Sequence, residues 1–208
     1  MNSNRRGFVR TLVAAAAALA IAGPAAAQTP VTPAVGTDNP AKVEVIEFFS
    51  YGCPHCNDFN PLVSAWGAKL PADVVFKKVP ISFGRAAWAN VAKLYYALEI
   101  TGDLARLDGD VFKAIHAERI GLFDDKTMAE WVAKKGVDPK KFADAYNSFG
   151  VMTKVRRGDQ LAAAYKIQGV PSLGVDGKYL VGDKPQPELL SITDQLIAKL
   201  RSEKAGKK

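Results

Sequence analysis

The stretch VIEFFSYGCPHC, Val45 to Cys56, decides how the rest of the chain is read. It continues a nearly unbroken apolar run in which Val43, Val45, Ile46, Phe48 and Phe49 predict a strand buried on both faces. Glu47 is the one acid expected deep inside that run. The stretch closes on the only two cysteines of the chain, Cys53 and Cys56, with Pro54 and His55 between them. Beyond the cysteines, Phe59, Leu62, Val63 and Trp66 recur at i, i+3, i+4 and i+7, so a helix is predicted to begin at the cysteines themselves. Pro54 suits its first position, where a missing N–H costs nothing. Pro61 falls inside the same pattern and should kink the helix rather than end it. Strand character returns at Val74 in VVFKKVPISF. The order is therefore strand, helix, strand, with the cysteines at the C-terminal end of the first strand, where reaction sites of open α/β sheets lie.

From Trp88 to about Phe149 the patterning turns helical. Val91, Leu94, Tyr95 and Leu98 form one stripe, and Leu104, Leu107, Val111 and Ile115 another. Thr127 to Glu130 has capping-box spacing ahead of Trp131 and Val132, and Gly136 can end that helix. Asp138 is predicted to cap a further helix, with Pro139 at its start and Phe142, Tyr146 and Phe149 on one face. DQLAAAYKI reads as helix as well. In GVPSLGVDGKYLVG two short β runs, 172–175 and 178–181, flank Asp176-Gly177, a hairpin-turn dipeptide. Leu189, Ile192, Leu196 and Leu200 mark a final amphipathic helix.

The beginning of the chain is of another kind. Residues 1–27 carry Arg5, Arg6 and Arg10, no acid, an alanine-rich apolar run and the small-residue site Ala25-Ala26-Ala27. That is the layout of a cleavable secretory signal. RRGFVR also resembles a twin-arginine signal, so both export routes stay open. Residues 28–40 read as a flexible lead-in, rich in proline and small residues. The organisation expected is a signal over 1–27, a lead-in over 28–40, an α/β domain over 41–84 and 151–204, and a helical insertion over 85–150. The formal charge of +7 falls to +4 once the three arginines of the signal are removed. No basic stripe is interleaved with aromatics, so no nucleic-acid partner is expected. The 48% apolar content is ample for a core, and a monomer is expected.

The cysteine pair admits three readings. A structural Cys53–Cys56 bond would close a loop of four residues, worth about 2 kcal/mol at best, in a domain large enough not to need it. Two thiolates and His55 could hold Cu(I) or Zn(II). A closed zinc site wants four ligands, however, and the other histidine, His116, sits on a predicted helix where it reads as an ordinary surface or core residue. The redox reading uses more of the stretch. At a helix N-cap the Cys53 sulfur faces the free N–H groups of His55 and Cys56 and the positive end of the helix dipole, and a protonated His55 adds charge. Each of these stabilises a Cys53 thiolate and so makes the disulfide more oxidising. Cys53 is expected to be the exposed nucleophilic sulfur and Cys56 the less exposed resolving one.

With Glu47 ahead of FFSYGCPHC, a helical insertion, and GVPS before a hairpin, the chain from about residue 41 to 204 resembles the DsbA family of periplasmic thiol–disulfide oxidoreductases. The resemblance implies an α/β, thioredoxin-like fold with a helical insertion. It also implies a periplasmic location and oxidation of newly exported proteins through a mixed disulfide. No bound cofactor and no metal are implied, because the disulfide itself carries the two electrons. Reoxidation would fall to a DsbB-like, quinone-linked membrane protein. Residue by residue, Cys53, Pro54, His55 and Cys56 match the redox motif. Glu47 matches a buried acid beneath it, and Lys78 a lysine near that acid, with Lys77 as the competing register. Val170 and Pro171 match a cis-proline segment that pairs with substrate backbone. Tyr51 and Gly52 depart from the two aromatics some members carry there. A disulfide isomerase or reductase, and a Cu(I) carrier, remain as alternatives.

Overall fold

The computed structural model describes residues 29–31, 37, 38 and 41–206; the expected export signal lies outside them. A five-stranded mixed sheet runs in the order β1-β5-β4-β2-β3. β2 (Val43–Phe49) is central. It pairs in parallel with β3 (Val74–Pro80) and antiparallel with β4 (Ser172–Val175). β4 turns into β5 (Tyr179–Val181) through Asp176 and Gly177, at φ 51° and 68°. Two successive left-handed residues match the strand twist, as Asp-Gly commonly supplies, and Lys178 completes the three-residue connection between the paired Val175 and Tyr179.

All seven residues of β2 are buried, as expected of a strand covered on both faces. Val43 and Val45 face α1 (Pro54–Gly67) and α7 (Gln186–Ala205), where Phe59, Val63, Leu189, Leu196 and Leu200 complete one core. Ile46 and Phe48 face the other way, onto α6 (Phe149–Ala164) and Tyr165. The third core belongs to the insertion: α2 (Ala86–Thr101), α3 (Leu104–His116), α4 (Asp125–Lys134) and α5 (Pro139–Tyr146). Phe49 and Tyr51 reach from the end of β2 into it.

Several local expectations are corrected. The lead-in is not wholly unstructured: β1 (Thr29–Pro30) pairs antiparallel with β5, and Val31 is buried against the α6 face. Burial of Val31 and pairing of a sheet edge outweigh the prolines. Glu47 is not the one buried acid of β2. Glu44 is buried too, on the opposite face, where Lys77 neutralises it at 2.7 Å. Leu62 breaks the apolar stripe and stays exposed, while α1 continues past Pro61 to Gly67. α4 starts before Thr127. Asp124 is its cap and accepts the Thr127 N–H, so the same spacing is used one turn earlier. Asp138 caps α5 as expected, accepting the Lys141 N–H. Phe149 is exposed, because Ser148 caps a new helix there and turns the chain away from the Phe142–Tyr146 face. Residue 150 lies in the first turn of α6, which packs against both α2 and β3.

Candidate active site

The cysteines follow the end of β2 by a tight connection. Ser50 fixes it, its carbonyl accepting the Cys53 N–H at 3.1 Å and its hydroxyl accepting the Gly52 N–H at 3.2 Å. The Tyr51 ring drops into the insertion core, edge-on to Phe49 and Phe112 with centroids 5.3 and 4.8 Å away. Its hydroxyl donates to Asp108 Oδ1 at 2.6 Å. Its backbone carbonyl is held by His116 Nε2 at 2.7 Å. Both contacts come from α3, so the insertion positions the redox loop. Gly52 leaves no room for a side chain: a Cβ there would stand 2.8 Å from Trp88 Nε1 and 3.1 Å from the Phe123 ring.

Cys53 is the N-cap of α1, in extended conformation (φ −95°, ψ 118°), and Pro54 takes the first helical position. Both cysteines are thiols in the structure. They are unequal, although less by exposure than the sequence implies: Cys53 is 6% exposed and Cys56 0%. The larger difference is electrostatic. A hydrogen bond from the Cys56 thiol pulls the Cys53 thiol down to about 6, with burial opposing and the N–H groups of Cys56 and His55 and the His55 charge helping. Cys56 moves the opposite way, far above the ordinary thiol range. Burial is the main cause, and its bond to Cys53 and the charge of that sulfur add to it. His55 is exposed, with its carbonyl accepting from Gln186 Nε2 at 2.9 Å.

Val170-Pro171 is a cis peptide bond, and the Val170 carbonyl accepts from the Cys53 thiol at 3.4 Å. Beside it lies an open groove of about 430 Å³, walled by His55, Val170, Pro171, Pro185, Gln186 and Leu189. The loop before β4, whose Val170 carbonyl touches the Cys53 sulfur, and the start of α7 thus wall one groove beside the redox pair.

Beneath the cysteines, the β2–β3 register sets Glu47 beside Lys78, while Lys77 faces the other side of the sheet toward Glu44 and Asp38. Glu47 is fully buried, and neither of its carboxylate oxygens has a hydrogen-bond partner among the described residues. Burial pushes its carboxyl up to about 7; Lys78 acts against this and the charge of Asp108 with it. Lys78 Nζ lies 3.8 Å from Glu47 Oε2, donates to Asn60 Oδ1 at 2.7 Å and Asp108 Oδ2 at 2.8 Å, and sits over the Phe49 ring. All the residues singled out by sequence therefore gather at one end of β2. Sequence reasoning missed Asp108, Asn60, Gln186 and the hold of His116 on the loop. Asp108 and Tyr51 lie 57 positions apart, and no spacing rule connects them.

Comparison with known proteins agrees with this geometry. The profile of the DSBA-like thioredoxin domain matches residues 44–193. The thiol:disulfide interchange protein DsbA of Bordetella pertussis is 42% identical over 175 residues, spanning 82% of this chain and 83% of that protein. The protein of the same name from Pseudomonas aeruginosa is 41% identical over 171 residues, 81% of either chain. The crystal structure of Pseudomonas aeruginosa DsbA superposes with a TM-score of 0.81 at 38% identity, covering 87% of this chain and 94% of that one. The chain belongs to the family of DSBA-like thioredoxin domains and is a thiol:disulfide oxidoreductase.

Proposed function

We propose that the chain works in the direction of oxidation, as a periplasmic dithiol oxidase for newly exported proteins. The observation that carries this reading is the placing of Cys53 at the N-cap of α1 with Cys56 fully buried behind it, which pulls the Cys53 thiol down and pushes the Cys56 thiol up. A thiolate that is stable at neutral pH is a good leaving group, and it favours the reduced enzyme. In the oxidised enzyme a substrate thiolate attacks Cys53 Sγ, the Cys53–Cys56 bond breaks, and Cys56 leaves with the electron pair. Because Cys56 is so weak an acid, it must take up a proton, and in this reading buried Glu47, whose charge acts on Cys56, supplies it. A second substrate thiolate then attacks the substrate sulfur of the mixed disulfide. Cys53 departs as thiolate, the substrate carries the new disulfide, and the enzyme holds both electrons.

In this reading Pro54 and His55 serve the Cys53 thiolate, one by starting the helix and the other by its charge. Lys78 compensates Glu47. Val170 and Pro171, with the adjoining groove, hold an extended substrate segment against Cys53. Turnover requires a reoxidising partner, here a DsbB-like, quinone-linked membrane protein, and the enzyme acts as a monomer. The domain division at residues 84, 85, 150 and 151 then separates a redox domain from an insertion that shapes the loop. Equilibration with glutathione tests the direction. A reduction potential well above that of thioredoxin, about −270 mV, is expected. A value as low as thioredoxin's would overturn the oxidase reading and leave a reductase.

A further inference from the structure

Lys78 is shared unequally between two carboxylates. Its ammonium stands 2.8 Å from Asp108 Oδ2 and 3.8 Å from Glu47 Oε2, and a further direction is taken by Asn60 Oδ1 at 2.7 Å. The other Asp108 oxygen accepts from the Tyr51 hydroxyl at 2.6 Å, so this carboxylate is held from two sides. Glu47, fully buried, is left with both oxygens unbonded among the described residues. A buried carboxylate without hydrogen bonds is the costly form, and a cation in contact would remove that cost. The nearest cation is present, but a helix of the insertion holds it more closely than the neighbouring strand does.

We propose that Asp108 is a positioning residue for the buried acid: by claiming Lys78 it holds the ammonium off Glu47, so that the Glu47 carboxyl keeps a proton to exchange with Cys56. The titratable groups facing Glu47 are Lys78 on β3, Asp108 on α3, Cys56 on α1, Tyr51 in the loop after β2 and Tyr95 on α2. Lys78 is the one cation among them, so its division between Glu47 and Asp108 controls the acid. The upward push on Glu47 by the Asp108 charge acts in the same sense. The proposal rests on the reading of Glu47 as proton carrier for Cys56, and it places control of that proton in the insertion.

The test uses the full reduced chain with carbon-13 in the glutamate carboxyls, the Glu47 resonance being assigned by its loss in Glu47→Gln. In the wild type this resonance titrates near pH 7. Asp108→Asn, nearly isosteric, releases Lys78 toward Glu47 and lowers the midpoint by about one to two pH units. Asp108→Ala, which removes the competing acceptor altogether, moves it the same way. In a Lys78→Met background most of the Asp108→Asn shift disappears. The proposal is overturned if the midpoint is unmoved or rises in folded Asp108 variants. It is overturned equally if the shift is as large without Lys78, because Asp108 would then act by its own charge alone. A merely structural role for Asp108 would move stability without moving this midpoint. Failure of the proton-carrier reading shows separately: Glu47→Gln would then leave unchanged the pH profile of substrate-thiolate attack on the Cys53–Cys56 disulfide, the step in which Cys56 takes up its proton.

Discussion

Replacing Cys53 by serine should weaken the reduced protein increasingly as the pH rises. The Cys53 thiol titrates at about 6 in the fold against 9.0 for an unstrained cysteine. A group whose folded value is depressed stabilises the fold fully above its unfolded value and loses that contribution as the pH falls through the folded one. Integrating the two titrations gives almost nothing at pH 5, about 1 kcal/mol at pH 7 and about 3 kcal/mol at pH 8.5. Burial, the main cause of the Cys56 rise, stays in the variant, so the difference between the two reports mainly on Cys53. Urea unfolding of reduced wild type and Cys53→Ser at these three pH values measures it. The ultraviolet absorbance of the thiolate, followed with pH in the same wild-type samples, should show a midpoint near 6 that Cys53→Ser abolishes. A stability difference that stays flat from pH 5 to 8.5 would refute the reasoning, because it would mean that the helix start and the Cys56 thiol do not hold a thiolate. The same free energy makes Cys53 a good leaving group, so a flat profile would also remove the main support for oxidation as the working direction.

Other perturbations have equally definite outcomes. Glu47→Gln should stabilise the fold at pH 8 by up to about 3 kcal/mol and change it little at pH 4.5. The wild-type carboxyl binds its proton too tightly in the fold, so stability present below its unfolded value is lost as the pH rises through about 7; urea unfolding of both proteins at the two pH values checks this. His55→Leu should raise the Cys53 midpoint by less than about one unit, since the His55 charge is the smallest of the named causes, and the thiolate absorbance titration reads it directly. Gly52→Ala forces a methyl into Trp88 and Phe123 and should cost about 1–3 kcal/mol in chemical denaturation, with a change in tryptophan fluorescence as the ring moves.

Much of the site was legible because it is local. A buried strand ending at a Cys-Pro-His-Cys helix start fixes the position of Cys53 by backbone geometry within a few residues, and the Asp176-Gly177 turn announces itself by the left-handed conformations it requires. Caps and helix ends were less secure. Asp124 and Thr127 offer competing starts at the same spacing, and Phe149 fits the α5 stripe until Ser148 opens a new helix. The lead-in was misread for a similar reason: composition describes Thr29 to Val31 as loop, while the free edge of β5 and an apolar place for Val31 lie about 150 residues downstream.

The sequence by itself determined the fold class, the redox pair and which sulfur caps the helix, because hydrophobic period and capping act over one or two turns. It also picked out Glu47, whose apolar neighbours leave it nowhere to go but inward. Only the tertiary structure decided how that acid is treated. The parallel register chooses Lys78 over Lys77, α3 brings Asp108 and His116 to a loop more than fifty residues earlier, and the cis Val170-Pro171 segment arrives from the far side of the chain. Electrostatic coupling depends on distance and burial in space, and neither can be counted along a chain.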